Sequence, residues 1–109
     1  MGKFVEGEVV VLNFPQTNLQ NGKRRPALVV ADLAGDDLIL CQITSQNRLD
    51  GYSISLSSAD FERGKLPLES YARINRLFTV ERSVIIHSAG KLKTQKLVEV
   101  KSKLRQLFA

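Results

Sequence analysis

The sequence predicts a mainly β domain closed by one C-terminal helix, an α+β chain built on a small, strongly bent antiparallel sheet or barrel. Three observations predict it. Short apolar, β-branched runs recur along most of the 109 residues, separated by Gly, Pro and Asn clusters. Helical spacing of apolar residues appears only from Thr94 onwards. Hydrophobic residues make up 43% of the chain, enough for one modest core and too many for a disordered segment. A single domain over residues 1–109 follows from that length.

The elements read in order as follows. Gly7 precedes Glu8–Phe14, a β-branched strand that Pro15 ends. Gln16 to Lys23 is polar and reads as a long loop, with the cations Lys23, Arg24 and Arg25 at its end. Pro26 opens a second strand through Ala31, apolar throughout and therefore buried on both faces. Gly35-Asp36-Asp37 is a hairpin turn into a third strand, Leu38–Ile43, which runs into Thr44-Ser45-Gln46. After a polar loop at 47–51, Tyr52–Leu56 alternates as a half-exposed strand, and Ser57–Phe61 reads as a short helical turn before Gly64. Ser70–Ile74 and Val84–His87 are further strands, while the type of Asn75–Ser83 stays open. Leu97, Val100, Leu104 and Leu107 lie on one helical face, widened by Phe108, with Thr94 as the expected N-cap.

Composition narrows the function. No apolar run approaches a membrane span, and Met1 to Gly7 has no signal-peptide core, so a cytoplasmic chain with no membrane contact is expected. One cysteine, Cys41, fits a reducing compartment and reads as a small buried hydrophobe. One His and one Cys make no zinc site in a single chain, and no metal or other cofactor is expected. The net charge of +5 suits nucleic acid, an acidic peptide or another anionic surface. His87, in its strand, reads as packed or hydrogen-bonded, with a contact role left open.

Arg25 opens the second strand and Thr44 closes the third. Strands joined at Gly35-Asp36 are antiparallel, so these two ends lie side by side. A guanidinium offers paired donors to phosphate oxygens and a threonine hydroxyl adds a third. From this pattern alone a surface arginine and a strand-terminal threonine weigh more than a catalytic pair.

A resemblance reverses that weighting. Gly7-Glu8-Val9-Val10 with Phe14-Pro15, then Arg25-Pro26-Ala27-Leu28-Val29, then Ile43-Thr44-Ser45-Gln46, then Gly90-Lys91-Leu92 before a helix, resemble in order and spacing the MazF/PemK toxins of bacterial toxin–antitoxin pairs. The resemblance implies an SH3-like barrel, a homodimer, and metal-independent cleavage of single-stranded RNA at short sequences. The 2′-hydroxyl would attack the adjacent phosphate, leaving 2′,3′-cyclic phosphate and 5′-hydroxyl ends. Arg25 and Thr44 match the catalytic positions; Ser45 and Gln46 share the second motif as substrate contacts, and Lys23 and Arg24 would steer RNA. A cognate antitoxin with an acidic segment is implied, and operator DNA only as a complex with it.

Some members use an arginine and an aspartate of a later strand, and here that stretch is Arg73-Ile74-Asn75. Asn75 can hydrogen-bond but cannot act as a base; Arg73 is either a second phosphate ligand or a surface charge. Asn18, Gln20 and Asn21 of the long loop could read base edges. Aromatics are only 6% of the chain, which leaves Phe14, Tyr52 and Tyr71 as the candidates for base stacking. Two other classes stay open: a non-catalytic nucleic-acid-binding module on the same barrel, and a protein-interaction domain for an acidic peptide.

Overall fold

The computed structural model describes residues 4–14 and 23–109. Seven strands follow one another as β1 (Glu8–Phe14), β2 (Lys23–Asp32), β3 (Asp37–Thr44), β4 (Ser53–Leu56), β5 (Phe61–Gly64), β6 (Ser70–Glu81) and β7 (Ile85–Leu92), and the helix α1 (Thr94–Leu107) ends the fold. They form one antiparallel sheet in the order β4-β6-β3-β2-β1-β7-β5.

Laid flat, the edge strands β4 and β5 would stand roughly 29 Å apart at the usual spacing. Instead Ile54 and Leu56 of β4 share one core with Phe61 of β5, Leu92 of β7 and Val100 of α1. The sheet is therefore curled into a half-barrel whose open side the helix covers. Adjacent residues of β1 and β2 point to opposite faces, and both faces are buried. Val9 and Leu28 enter the helix-side core; Val10, Ala27 and Val29 enter a second cluster with Leu38, Leu40, Phe14 and Phe78. That is why these strands read as unbroken apolar runs rather than alternating ones.

Most expected elements are present, and the differences have physical reasons. The three cations lie inside a strand: β2 begins at Lys23, with Lys23, Arg24 and Arg25 opposite Phe14, Asn13 and Leu12 of β1. Pro26 sits one residue past the last pairing with β3, at Ala27–Gln42. Its missing N–H interrupts only that ladder, and β1 holds the strand from the other side. β5 is a short edge strand with no sequence signal, and β6 continues through the undecided stretch to Glu81. A bulge at Ile74–Arg76, between the pairs Gln42–Arg73 and Cys41–Leu77, breaks the alternation that would have marked it as one strand.

In the helix, Thr94 is the first helical residue rather than the cap. Lys93 is extended, and its carbonyl accepts the N–H groups of Lys96 and Leu97 at 3.1 Å each. Val100, Leu104 and Leu107 pack inward, whereas Phe108 follows the last turn and is 74% exposed. The helix also meets the turn before β1 at Lys101–Glu6, 2.6 Å apart. Among the described residues no helix is long and apolar enough to cross a membrane.

Candidate active site

The site begins at Pro26. Where the β2–β3 ladder stops, the two strands form a fork. Carrying the register on by two residues sets Arg25 opposite Thr44, and opposed residues of neighbouring strands present their side chains on the same face. β1 fixes the Arg25 backbone through Leu12, and β6 fixes Thr44 through Tyr71. Both residues are half-buried. The Thr44 hydroxyl oxygen accepts the N–H of Gln46 at 3.1 Å, which orients it and leaves its proton free to donate.

A groove of about 1090 Å³ opens at this fork. Lys23, Arg24 and Arg25 line one side, and Thr44, Ser45, Gln46 and Arg48 another. Across from them stands the connection between β5 and β6, through Lys65, Leu66, Pro67 and Leu68, and β7 contributes His87 and Ser88. Five cationic side chains line the groove, and no Asp or Glu among the described residues does. Such a surface attracts a polyanion and stays open to one whose charges are spaced along a chain.

Six of the expected site residues, Lys23, Arg24, Arg25, Thr44, Ser45 and Gln46, come together here. Arg73 and Asn75 do not line the groove. Arg73 is buried, with Nη2 2.8 Å from Asp50, and Asn75 is exposed on the β6 bulge. Asn18, Gln20 and Asn21 lie outside the described residues. Of the three aromatics, only Phe14 reaches the groove; it also packs edge-to-face on Phe78, with ring centroids 5.0 Å apart. His87 is neither buried nor enclosed: it is exposed in the groove, with Nδ1 3.3 Å from the Ser88 carbonyl.

Arg48, Lys65 and the apolar Leu66–Leu68 segment had no local signal beyond single charges in loops. Cys41 lies in the core beneath, and burial pushes its thiol up to about 12, which suits an inert packing role. Among the described residues no three His, Cys, Asp or Glu side chains group as a metal site.

A curled seven-strand half-barrel with a C-terminal helix, carrying a basic groove where the β2–β3 ladder ends, defines a class of small β protein. The family model for the PemK-like, MazF-like toxins of type II toxin–antitoxin systems matches residues 6–108, and the chain belongs to that family. Solved structures share the fold. An endoribonuclease in complex with its cognate antitoxin, from a mycobacterial species, superposes with a TM-score of 0.78 at 14% identity, over 97% of this chain and 95% of that one. MazF in a MazE–MazF complex from Deinococcus radiodurans gives 0.75 at 24% identity, over 95% and 94%. Mycobacterium tuberculosis toxin MazF-mt6 gives 0.73 at 12% identity, over 93% and 95%. No curated protein matches the chain at a significant level.

Proposed function

We propose that this protein is a metal-independent endoribonuclease toxin that cleaves single-stranded RNA at short sequences. The observation that carries the reading is that Arg25 and Thr44 both line one groove, together with four further cations and, among the described residues, no carboxylate. Family membership and structural likeness to proteins described as endoribonucleases support it.

The chemistry follows from the donors. The 2′-oxygen forms a bond to phosphorus, giving a pentacoordinate phosphorane, and the bond to the 5′-oxygen then breaks. The 2′-hydroxyl proton leaves to solvent and the 5′-oxygen takes one up, so the products are a 2′,3′-cyclic phosphate and a 5′-hydroxyl. A guanidinium remains protonated in proteins, so Arg25 serves as a paired donor to the non-bridging oxygens rather than as a base. Thr44 adds the third donor. Donors placed before reaction, where negative charge develops, stabilise the transition state more than the ground state. Lys23, Arg24, Arg48 and Lys65 hold flanking phosphates, and Ser45 and Gln46 contact the nucleotide beside the cut.

His87 stands three strands from Thr44, roughly 14 Å along the sheet at the usual spacing. Its place on a different wall of the groove suits contact with a neighbouring nucleotide. His87→Ala is expected to raise KM about fivefold and leave kcat within about twofold, as for removal of a uniform binding interaction; steady-state cleavage of a short RNA checks this.

The deciding experiment is incubation with a long RNA in EDTA, followed by mapping of the ends. Cyclic-phosphate and 5′-hydroxyl termini at a small set of sequences are expected. RNA left intact at high protein concentration, across varied sequences, would overturn the reading. It would favour a non-catalytic RNA-binding module, for which the exposed Asn75 in place of a carboxylate speaks. In the cell the proposal places the protein in the cytoplasm as a homodimer. Its cognate antitoxin would lay an acidic segment in the groove, and operator DNA would be bound only by that complex.

A further inference from the structure

The ion pair between Arg73 and Asp50 lies just behind the groove. Arg73 stands on β6 directly opposite Gln42 of β3 and Ser53 of β4, and Gln42 lines the groove. The Arg73 side chain is 11% exposed, and its Nη2 is 2.8 Å from Asp50 Oδ2. Asp50 Oδ1 meanwhile accepts the N–H of Tyr52 at 3.0 Å, and the Tyr52 carbonyl accepts the N–H of Ile74 at 3.0 Å. The Tyr52 N–H first, then Arg73, hold the Asp50 carboxyl below the usual carboxylate range.

One carboxylate thus ties the end of the 45–51 loop to β6 at the bulge. The other end of that loop supplies the groove wall through Ser45, Gln46 and Arg48. Between them Leu49 takes a left-handed conformation, φ 53°, and Gly51 another, φ 81°. A chain holding such a conformation at a non-glycine residue needs an anchor. The Leu49 N–H is held by Asn47 Oδ1 at 3.2 Å on one side, and on the other the next residue, Asp50, is held by Arg73.

We infer that Arg73 is a positioning residue: through Asp50 it holds the Ser45–Arg48 wall in place and so decides which nucleotide the site accepts beside the scissile phosphate. The inference deepens the ribonuclease reading and rests on it. The alternative role, a direct phosphate ligand, requires a guanidinium free to meet RNA. Arg73 is buried and engaged with Asp50 instead.

The two roles predict opposite signs at Asp50. If Arg73 positions the wall, Asp50→Asn and Arg73→Gln give the same defect. KM rises about tenfold, kcat stays within about threefold, and the set of cleaved sequences broadens. The double variant is no worse than either single one, because both remove one interaction. Hydrogen exchange of the 45–52 amides speeds up in both single variants, and Arg73→Lys recovers part of the protection. If Arg73 binds phosphate, Asp50→Asn frees it and tightens RNA binding, while Arg73→Gln lowers kcat; that result, or unchanged exchange in both variants, overturns the inference. Failure of the unsubstituted protein to cut any RNA brings down the ribonuclease reading and this inference together, and is told apart because it appears before any substitution. Asp50 lies on an exposed loop, so its variant separates the roles even where Arg73→Gln unfolds the chain.

Discussion

Arg25→Ala is expected to lower RNA cleavage about a thousandfold, nearly all of it in kcat, which corresponds to roughly 4 kcal/mol of transition-state stabilisation. The reason is geometric. Arg25 lines the groove with Thr44 just beyond the end of the β2–β3 ladder, and in the proposed reaction the non-bridging oxygens would gain charge there as the phosphorane forms. Arg25→Lys keeps a cation but loses the paired donors, so it recovers only part of the rate. Thermal unfolding should change little, since Arg25 is only half-buried and makes no ion pair among the described residues. Single-turnover cleavage with end mapping measures the effect. A variant that folds normally and keeps its kcat would remove Arg25 from the chemistry. Lys23→Ala and Arg24→Ala, at more exposed positions of the same strand, should mainly weaken binding and flatten its salt dependence by roughly 0.7 in log–log slope for each phosphate no longer neutralised.

Gly64→Ala carries the largest expected loss of stability from a single methyl group, about 3 kcal/mol, equivalent to a fall of roughly 15 °C in Tm. Gly64 and Gly90 face each other across β5 and β7. A Cβ on Gly64 would stand 2.1 Å from the Ala89 carbonyl oxygen and 2.6 Å from the Gly90 Cα, and its φ is +71°. Those neighbours are backbone and cannot turn away as a side chain can. Gly35→Ala is the internal control. Gly35 has a similar φ, +82°, but nothing lies within 4 Å of the added carbon, so only the conformational cost of about 1–2 kcal/mol applies. Urea unfolding of the two variants compares the terms directly, and equal losses would show that the close approach of β5 and β7 contributes nothing.

Much of the fold was legible in the chain itself. Leu97, Val100, Leu104 and Leu107 marked the helix because a period of 3.6 survives without knowledge of what the helix packs on. The first three strands were legible because burial on both faces leaves continuous apolar runs. β5 was not legible. Four residues held to β7 by two glycines carry no pattern of their own. β6 was legible only in its first half, since its bulge destroys the alternation there.

The groove divides in the same way. Arg25 and Thr44 were within reach of the sequence because a short hairpin brings the far ends of its two strands together, although the bulge between Val29 and Ala31 that sets their register was not legible. Lys65, Arg48 and His87 were not, because each arrives on a separate connection or strand that only the curl of the sheet brings round. Arg73 shows the limit most plainly. Its motif left open a phosphate ligand or a surface charge, and neither reading could include its ion-pair partner, because Asp50 is 23 residues away.

By itself the sequence determined local matters: the family, the helix, the first hairpin, and the Arg-Pro step that ends one ladder and leaves another intact. These depend on neighbours along the chain or on a single turn. The tertiary structure alone decided which cations share a groove and which is tied to a carboxylate, because those are distances between elements that no local spacing encodes.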